Sequence, residues 1–468
     1  MKVFATIYVG SLEIAMKVFQ VKKGSGLLEL DCLRMPTDLI HDVIDTKKIS
    51  SEAADKICHV LLDMKRIMNS YKVDSYEVYG NATLKKAPNI FFVLDQIKLK
   101  TGFEVKLITN SEQRFLGYQA IASMPGFDEM VKDSALLVDI GGVSLQITYF
   151  SKGNLITTQH LDIGMVSVGE NLKKLESMTN PQDHINEILI KELDVFKTQY
   201  LKDDVVKYMI VSGNISGSYT EIEFLKRPLK MLRKAIESSL PAKNVVTPGL
   251  TIIDGMGCHI AYSRGWLKPA HDFDMDVISA AWSISKRYGS YQPHLKALVQ
   301  LSTMIFDATT KYHGMNAKHR LMMEVIAILH DCGKYISISD AAVGSHTIIM
   351  NSEILGLSHK ERQMIAYTVA YNRTPLDNYD MLSDKFTPDE YVVIVKLLAI
   401  LKVANALDRS HKQKSKSVSM MVRENQLIIT IESQASMALE KGLFSEKADL
   451  FEEIFGIRPV LKEKCLSI

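Results

Sequence analysis

The run Asp139-Ile140-Gly141-Gly142-Val143-Ser144 limits the folds open to this chain more than any other stretch. Ahead of it stands Ala135-Leu136-Leu137-Val138, an apolar run that reads as a buried strand ended by a turn signal. Behind it comes Leu145-Gln146-Ile147-Thr148-Tyr149-Phe150, a second run rich in strand-favouring residues. Two strands joined through a tight Gly-Gly turn leave backbone N–H groups free to point into one concavity. Such a nest binds anions, phosphate above all, and glycine lets the anion come close. The chain opens on a weaker copy: a strand over 4–9, the turn Gly10-Ser11, and a strand over 14–19. Two such units, well separated, predict a duplicated fold with a phosphate held between its halves. Taken alone, Gly141-Gly142 also reads as a bare hairpin. Asp139 before it and Ser144 after it add a carboxylate and a hydroxyl at the same mouth.

Length and charge bound the rest. A chain of 468 residues exceeds one compact core and predicts two to four units. Its formal net charge of +2 gives no global field for nucleic acid or a membrane, so neither is expected as a partner. No uninterrupted apolar run approaches the ~18 residues of a membrane span. The start, Met1-Lys2-Val3-Phe4, runs straight into a strand pattern broken by Glu13 and Lys17, unlike a signal peptide. Cys32, Cys58, Cys258, Cys332 and Cys465 are scattered without metal-ligand spacing, as expected of reduced thiols in a cytoplasmic protein.

Up to about residue 265 strands and helices alternate, which predicts an α/β class. Strands are expected over 75–79, 104–108, 135–139, 145–150, 155–161 and 207–212, and helices over 51–71, 91–100, 166–178 and 181–198. From about residue 272 long helical periodicity takes over: 277–288, 294–312, 318–329, 360–372 and 390–407. A hairpin over 417–423 and 426–432 and a helix over 446–455 follow. Gly, Pro and polar residues cluster at 265–271 and mark the main boundary. The domains expected are 1–122 and 123–268 as the halves of the core, 269–412 as a helical domain, and 413–468 as a small α+β tail.

Taken together these segments resemble the Ppx/GppA family of exopolyphosphatases and guanosine pentaphosphate phosphohydrolases. The resemblance covers almost the whole chain in order. It rests on Gly10-Ser11, on Tyr79-Gly80-Asn81 with Lys85-Lys86, on Asn110-Ser111-Glu112-Gln113-Arg114, and on the loop 139–146. It continues through Val211-Ser212-Gly213-Asn214, Asp254-Gly255-Met256, His294, His330-Asp331-Cys332-Gly333, Ser345-His346 and 404–411. It implies a duplicated actin/sugar-kinase/Hsp70-like (ribonuclease H-like) core, followed by an all-α HD-like domain and the α+β tail.

The resemblance also implies roles. Gly10, Ser11, Gly141, Gly142, Val143, Ser144 and Gly213 would cradle the scissile phosphate. Lys85 and Lys86 would steer a polyanion; elsewhere they would read as surface charge. Glu112 falls where the family places its catalytic acid, although it also reads as a helix N-terminal acid capped by Ser111. Asp139 would place a divalent metal, Mg²⁺ or Mn²⁺. The departures are chemical. The family's first-loop Asp is Tyr8, a neighbouring acid is Gln113, the third glycine is Val143, and the acid closing the second loop is Gln146. Tyr8 stays protonated near neutral pH and binds Mg²⁺ poorly. Glutamine orients water without accepting its proton, and losing a general base costs about 10²–10⁴-fold in rate.

In the helical part, His294 with the adjacent pair His330-Asp331 follows the HD metal pattern. Its last ligand should be an Asp, and the residue here is Asn405. Asp408, one turn on, would substitute only through a backbone rotation. The set is expected to hold no catalytic metal and to tie helices together, because in this family the domain shapes a polymer channel or a homodimer. Three functions stay open: hydrolysis of a phosphoanhydride of polyphosphate or pppGpp with weakened activity; a catalytically impaired regulatory protein that binds such an anion; and an HD-type metal phosphohydrolase. A sugar kinase would need a sugar pocket that no segment supplies.

Overall fold

β1 (Lys2–Val9) is largely apolar, β2 (Glu13–Lys22) carries Glu13 and Lys17 among apolar residues, and the two pair antiparallel. Both are buried on both faces, so neither alternates cleanly. The structure, a computed structural model, describes residues 2–465 apart from 23–25, 38, 40–41, 43–46, 203 and 214–222. Asn214 lies outside the described residues.

β3 (Gly26–Pro36) adds antiparallel to β2, β4 (Ser75–Gly80) adds parallel to β1, and β5 (Val105–Leu107) adds parallel to β4. The first sheet therefore has the order β3-β2-β1-β4-β5. The second repeats it. β6 (Ser134–Ile140), β7 (Leu145–Ser151) and β8 (Asn154–Leu161) form the antiparallel run, while β9 (Val206–Gly213) and β10 (Ala242–Val246) add in parallel. Its order is β8-β7-β6-β9-β10. This repeated mixed sheet is the duplicated actin/sugar-kinase/Hsp70-like arrangement. It places the turns after β1 and β6, and the ends of β4 and β9, at matching positions. Val9 stands beside Gly80 in register, as Ile140 stands beside Gly213.

Helices cover the sheets. Ser51–Ser70 starts where the Ser50 side chain accepts the Ala53 N–H, and it buries Ile57, Leu61 and Met64 against the first sheet. Met165–Lys174, Pro181–Phe196 and Glu223–Ser239 share a core with the second sheet. The helix Ile252–Ser263 departs from the expected division. The boundary at 268 assigns it to the second half, yet Ile253 and Met256 pack on Tyr8, Ala15 and Leu116 of the first. Lys17, buried in β2, reaches Asp254 Oδ1 at 2.7 Å and holds the helix there. A Cβ on Gly255 would lie 1.7 Å from the Leu116 carbonyl oxygen, so only glycine permits this crossing.

The chain divides into two compact units, Met1–Phe273 and Asp274–Ile468. In the second, Gln292–Ala308, Ala317–Leu329, Ala341–Asn351 and His359–Tyr371 surround Pro388–Leu407, which is buried along most of its length. The terminal sheet pairs β11 (Ser415–Arg423) antiparallel with β12 (Gln426–Ser433). β13 (Arg458–Cys465), reached through the helix Ala438–Phe455, pairs parallel with β12. The sequence reading placed only a hairpin and a helix here. Among the described residues no helix is long and apolar enough to cross a membrane.

Gly255→Ala should lower stability by about 3 kcal/mol, since the packed carbonyl cannot yield without moving a helix. Gly117→Ala, whose Cβ meets nothing within 4 Å, should instead gain about 0.5–1 kcal/mol of helix propensity. Urea unfolding of both variants checks the pair.

Candidate functional site

The two Gly turns close in the same way. The Gly10 N–H donates to the Glu13 carbonyl at 2.8 Å, and the Gly141 N–H donates to the Ser144 carbonyl at 2.9 Å. A Cβ on Gly10 would lie 2.7 Å from that first carbonyl, and one on Gly141 2.8 Å from the second. The second loop then docks on a helix start: Met165 and Val166 donate N–H groups to the Gly141 and Gly142 carbonyls at 3.1 and 2.7 Å. Gly164 permits that contact, because its Cβ would come within 2.3 Å of the Ser144 nitrogen. The N–H groups of Gly142, Val143 and Ser144 meet no protein acceptor among the described residues. They leave a concavity of free donors of the kind that binds anions.

Ser11 and Leu12 of the first turn and 141–144 of the second line one cavity of about 270 Å³. Lys86 and Arg114 bring positive charge to its wall, with Arg114 Nη2 donating to His160 Nε2 at 3.0 Å. A smaller cavity of about 50 Å³ carries Tyr8, Glu13, Gln113, Asp139 and Gly213. Gly213 sits at φ +98°, and a Cβ there would come 2.6 Å from Asp139 Oδ1. Asp139 lines both cavities.

Tyr8 does not act as an acid. Burial pushes its phenol far up, and Glu13 and Asp139 push the same way. Its hydroxyl oxygen accepts the Asn81 amide N–H at 2.6 Å. Burial also raises the Asp139 carboxyl, against the opposing pull of Arg114 and of Ser212, whose hydroxyl lies 3.3 Å away. Gln146 is the cross-strand partner of Asp139, so both side chains leave one face. Gln146 Oε1 and Gln113 Oε1 are buried without a hydrogen-bond partner in the protein. One carboxylate and two bare amide oxygens in one cleft suit a hard, oxygen-seeking dication such as Mg²⁺ or Mn²⁺.

The structure redistributes the expected roles. Glu112 is exposed and absent from the residues lining either cavity. Its Oε2 accepts the Thr109 N–H at 2.6 Å and the Thr109 hydroxyl at 2.7 Å, closing a capping box at the start of Asn110–Ala122. The cap is therefore Thr109, not Ser111, and the helix turns Gln113 and Arg114 toward the cleft instead. Lys85 and Lys86 lie on a 3₁₀ turn, Ala82–Lys86, rather than ending a strand; Lys86 lines the cavity and Lys85 does not. Glu13, Arg114 and His160 escaped the sequence reading. Glu13 left a trace there as a charge inside a run that otherwise reads as core, and Arg114 as the last residue of the Glu112 motif, without a role.

The HD-like set also comes together. One ligand atom from each of His294, His330 and Asp331 lies within 4.8 Å of the others. Asp408 is not one of this set; its Oδ2 lies 2.7 Å from His294 Nδ1 and holds that imidazole instead. Burial pushes the His330 imidazole down to about 4.

Comparison with known proteins follows this division. A family model described as the Ppx/GppA phosphatase family matches residues 18–227, and one described as Ppx/GppA phosphatase, domain III, matches 280–453. A bifunctional 3-dehydroquinate synthase/phosphatase of Fusobacterium nucleatum is 24% identical over 166 residues, 33% of this chain. The match spans only 24% of that relative's length. Among solved structures, a Ppx/GppA phosphatase of Aquifex aeolicus is 17% identical, covering 55% of this chain and 99% of its own at a TM-score of 0.43. An exopolyphosphatase from Cytophaga hutchinsonii is 13% identical, covering 58% and 100% at 0.44.

Two outcomes test the site. Gly142→Ala should fold normally, since its Cβ meets only Val166 at 3.7 Å. It should weaken tripolyphosphate binding at least about tenfold in calorimetry by intruding on the nest; unchanged affinity would place the anion elsewhere. Asp139 gives a pH signature. A carboxyl raised above its unfolded value of about 3.9 favours the folded state below that pH and loses that contribution as pH rises through the raised value. Without metal or anion, Asp139→Asn should therefore melt higher than wild type at pH 8. The gap should close as the pH falls to about 4.

Proposed function

Because the chain belongs to the Ppx/GppA phosphatase family, we propose that its first unit hydrolyses the terminal phosphoanhydride of inorganic polyphosphate or of a guanosine polyphosphate, slowly. The observation that carries this reading is the single cavity lined by both turns, with a free nest at one wall and Lys86 and Arg114 at another. A phosphoryl group in loose transfer needs positioning and charge neutralisation more than covalent help. Backbone N–H groups of 142–144 and Ser11 hold its oxygens, and the two cations offset its charge.

Water attacks the terminal phosphorus, its oxygen forming the new bond as the bridging P–O bond breaks. Its proton goes to Glu13, a carboxylate beside Gln113 and Asp139 in the smaller cavity. Gln113 Oε1 orients that water. Asp139 and Gln146 would hold Mg²⁺ or Mn²⁺, which when bound neutralises phosphate charge and acidifies coordinated water. The family acids replaced by Tyr8, Gln113 and Gln146 account for the slow rate. They equally support a second reading, a regulatory protein that binds the polyanion without turnover.

Phosphate release from polyphosphate and pppGpp with Mg²⁺ or Mn²⁺ separates these readings. Glu13→Gln and Asp139→Asn should each lower kcat by about 10²-fold or more, while Glu112→Gln should change it by less than about threefold. Loss of activity in Glu112→Gln with Glu13→Gln unaffected would return the base to Glu112. Tight polyphosphate binding with no release in wild type would favour the binding protein.

A further inference from the structure

A polar row crosses the second sheet. Ser212 of β9, Asp139 of β6, Gln146 of β7 and His160 of β8 stand beside one another in register. Cross-strand partners share a face. The rows on either side send Val138, Ile140, Leu145 and Ile147 into the apolar core of that half, so the polar row takes the opposite face. Asp139, Gln146 and His160 all line the larger cavity. β8 is the edge of the sheet, two strands from β6, so His160 stands about 10 Å along the row from Asp139.

Arg114 meets this row from the first half, on the helix Asn110–Ala122. Its Nη2 lies 3.0 Å from His160 Nε2, so the bond joins the two halves across the cleft. A guanidinium stays charged and can only donate, so Nε2 presents its lone pair and the imidazole is neutral with its proton on Nδ1. In that tautomer Nε2 has no proton to give to a leaving phosphate, and it cannot be the general acid. Asp162 Oδ1 stands 3.7 Å from the same nitrogen, beyond hydrogen-bond reach. The charge of Arg114 also pulls the Asp139 carboxyl down against the effect of burial, so the guanidinium acts along the row from His160 toward Asp139. A neutral acceptor has a particular advantage here. A carboxylate in its place would fix the guanidinium and cancel its charge, whereas an imidazole fixes it and leaves the charge for an anion. We propose that His160 is a positioning residue, which holds Arg114 in the cavity that carries the nest, with its charge intact for a phosphate of the bound chain. This role rests on the reading of that cavity as a polyanion site. An arginine already ordered gives up less side-chain freedom when the anion arrives.

Calorimetric titration of tripolyphosphate into the full-length protein at pH 8 tests the role, and it reads binding rather than turnover. His160→Ala should weaken binding about fivefold, the cost of ordering one long side chain on binding. His160→Gln places an amide oxygen where the imidazole offers Nε2, and should restore the affinity to within about twofold of wild type. In an Arg114→Gln background, His160→Ala should cost less than about twofold more, because the group it positions is gone. In phosphate-release assays the loss in His160→Ala should fall on KM, with kcat changed by less than about threefold. Equal losses in both backgrounds would make His160 a direct contact to the anion and overturn the positioning role. Wild-type affinity in His160→Ala, or no rescue by His160→Gln, would overturn it as well while leaving the polyanion site standing. A wild type that binds no tripolyphosphate would instead remove the polyanion reading, and the role of His160 with it. Binding without hydrolysis would sink only the hydrolase, since the calorimetric comparisons need no turnover.

Discussion

Both lips of the cleft hang on one backbone hydrogen bond, made twice, from the glycine that follows the first strand of each half to the carbonyl three residues on. The bond spends the glycine N–H and reverses the chain within a few residues. The N–H groups that follow are left turned outward. In the second half the remaining carbonyls are spent as well, on the first amides of Met165–Lys174, donors that a helix start leaves unsatisfied. The nest is thus braced from behind before any anion arrives. An anion that enters a braced nest gives up little ordering entropy of the loop, and that pre-organisation conserves affinity. The strand ends Gly80 and Gly213 fall beside these turns because the two sheets share one order.

Charge in the cleft is lopsided. Glu13 and Asp139 stand near the Tyr8 phenol, which burial keeps neutral. Lys86 and Arg114 line the larger cavity together with Asp139. A phosphoanhydride bound as proposed would be drawn to the cations and would sit above two carboxylates. A dication held there would resolve that conflict by lying between like charges that would otherwise repel.

Much of this was legible in the sequence, and the remainder failed for identifiable reasons. The turns at Gly10 and Gly141 were readable because each combines a local signal with flanking apolar strands. β6 to β9 and the long helices were readable from their periodicity. β3, β10 and β13 were not: Ala242–Val246 is a five-residue edge strand, and Arg458–Cys465 is interrupted by charges and needs β12 to hold it. The return of Ile252–Ser263 to the first half was invisible, because it depends on a glycine meeting a carbonyl 139 positions earlier. Glu112 misled for a local reason. A Thr-x-x-Glu spacing is a capping box, and a glutamate that caps its own helix is not free to enter the cleft. One residue on, the helical turn carries Gln113 and Arg114 there instead. Glu13 and Lys17 read only as charges that break an apolar run; in the fold Lys17 is tied down by Asp254 and Glu29, and Glu13 meets Arg34 at 3.4 Å.

The substitutions share a pattern that bears on whether these sites are relics. At Gln113, Gln146 and Asn405 the resemblance expects acids, and each position holds an amide. Each of the three amide oxygens is buried without a partner in the protein. A buried polar atom left unsatisfied costs about 1–3 kcal/mol. A site released from function has no reason to carry that cost at three positions, since an apolar side chain of similar volume removes it. An amide keeps the oxygen, its lone pairs and the shape of the side chain, and gives up only the charge. That exchange weakens a metal or a general base without filling the space where a ligand sits. The chain thus keeps an oxygen at three cavity-lining positions where the resemblance expects an acid, and gives up the charge at each.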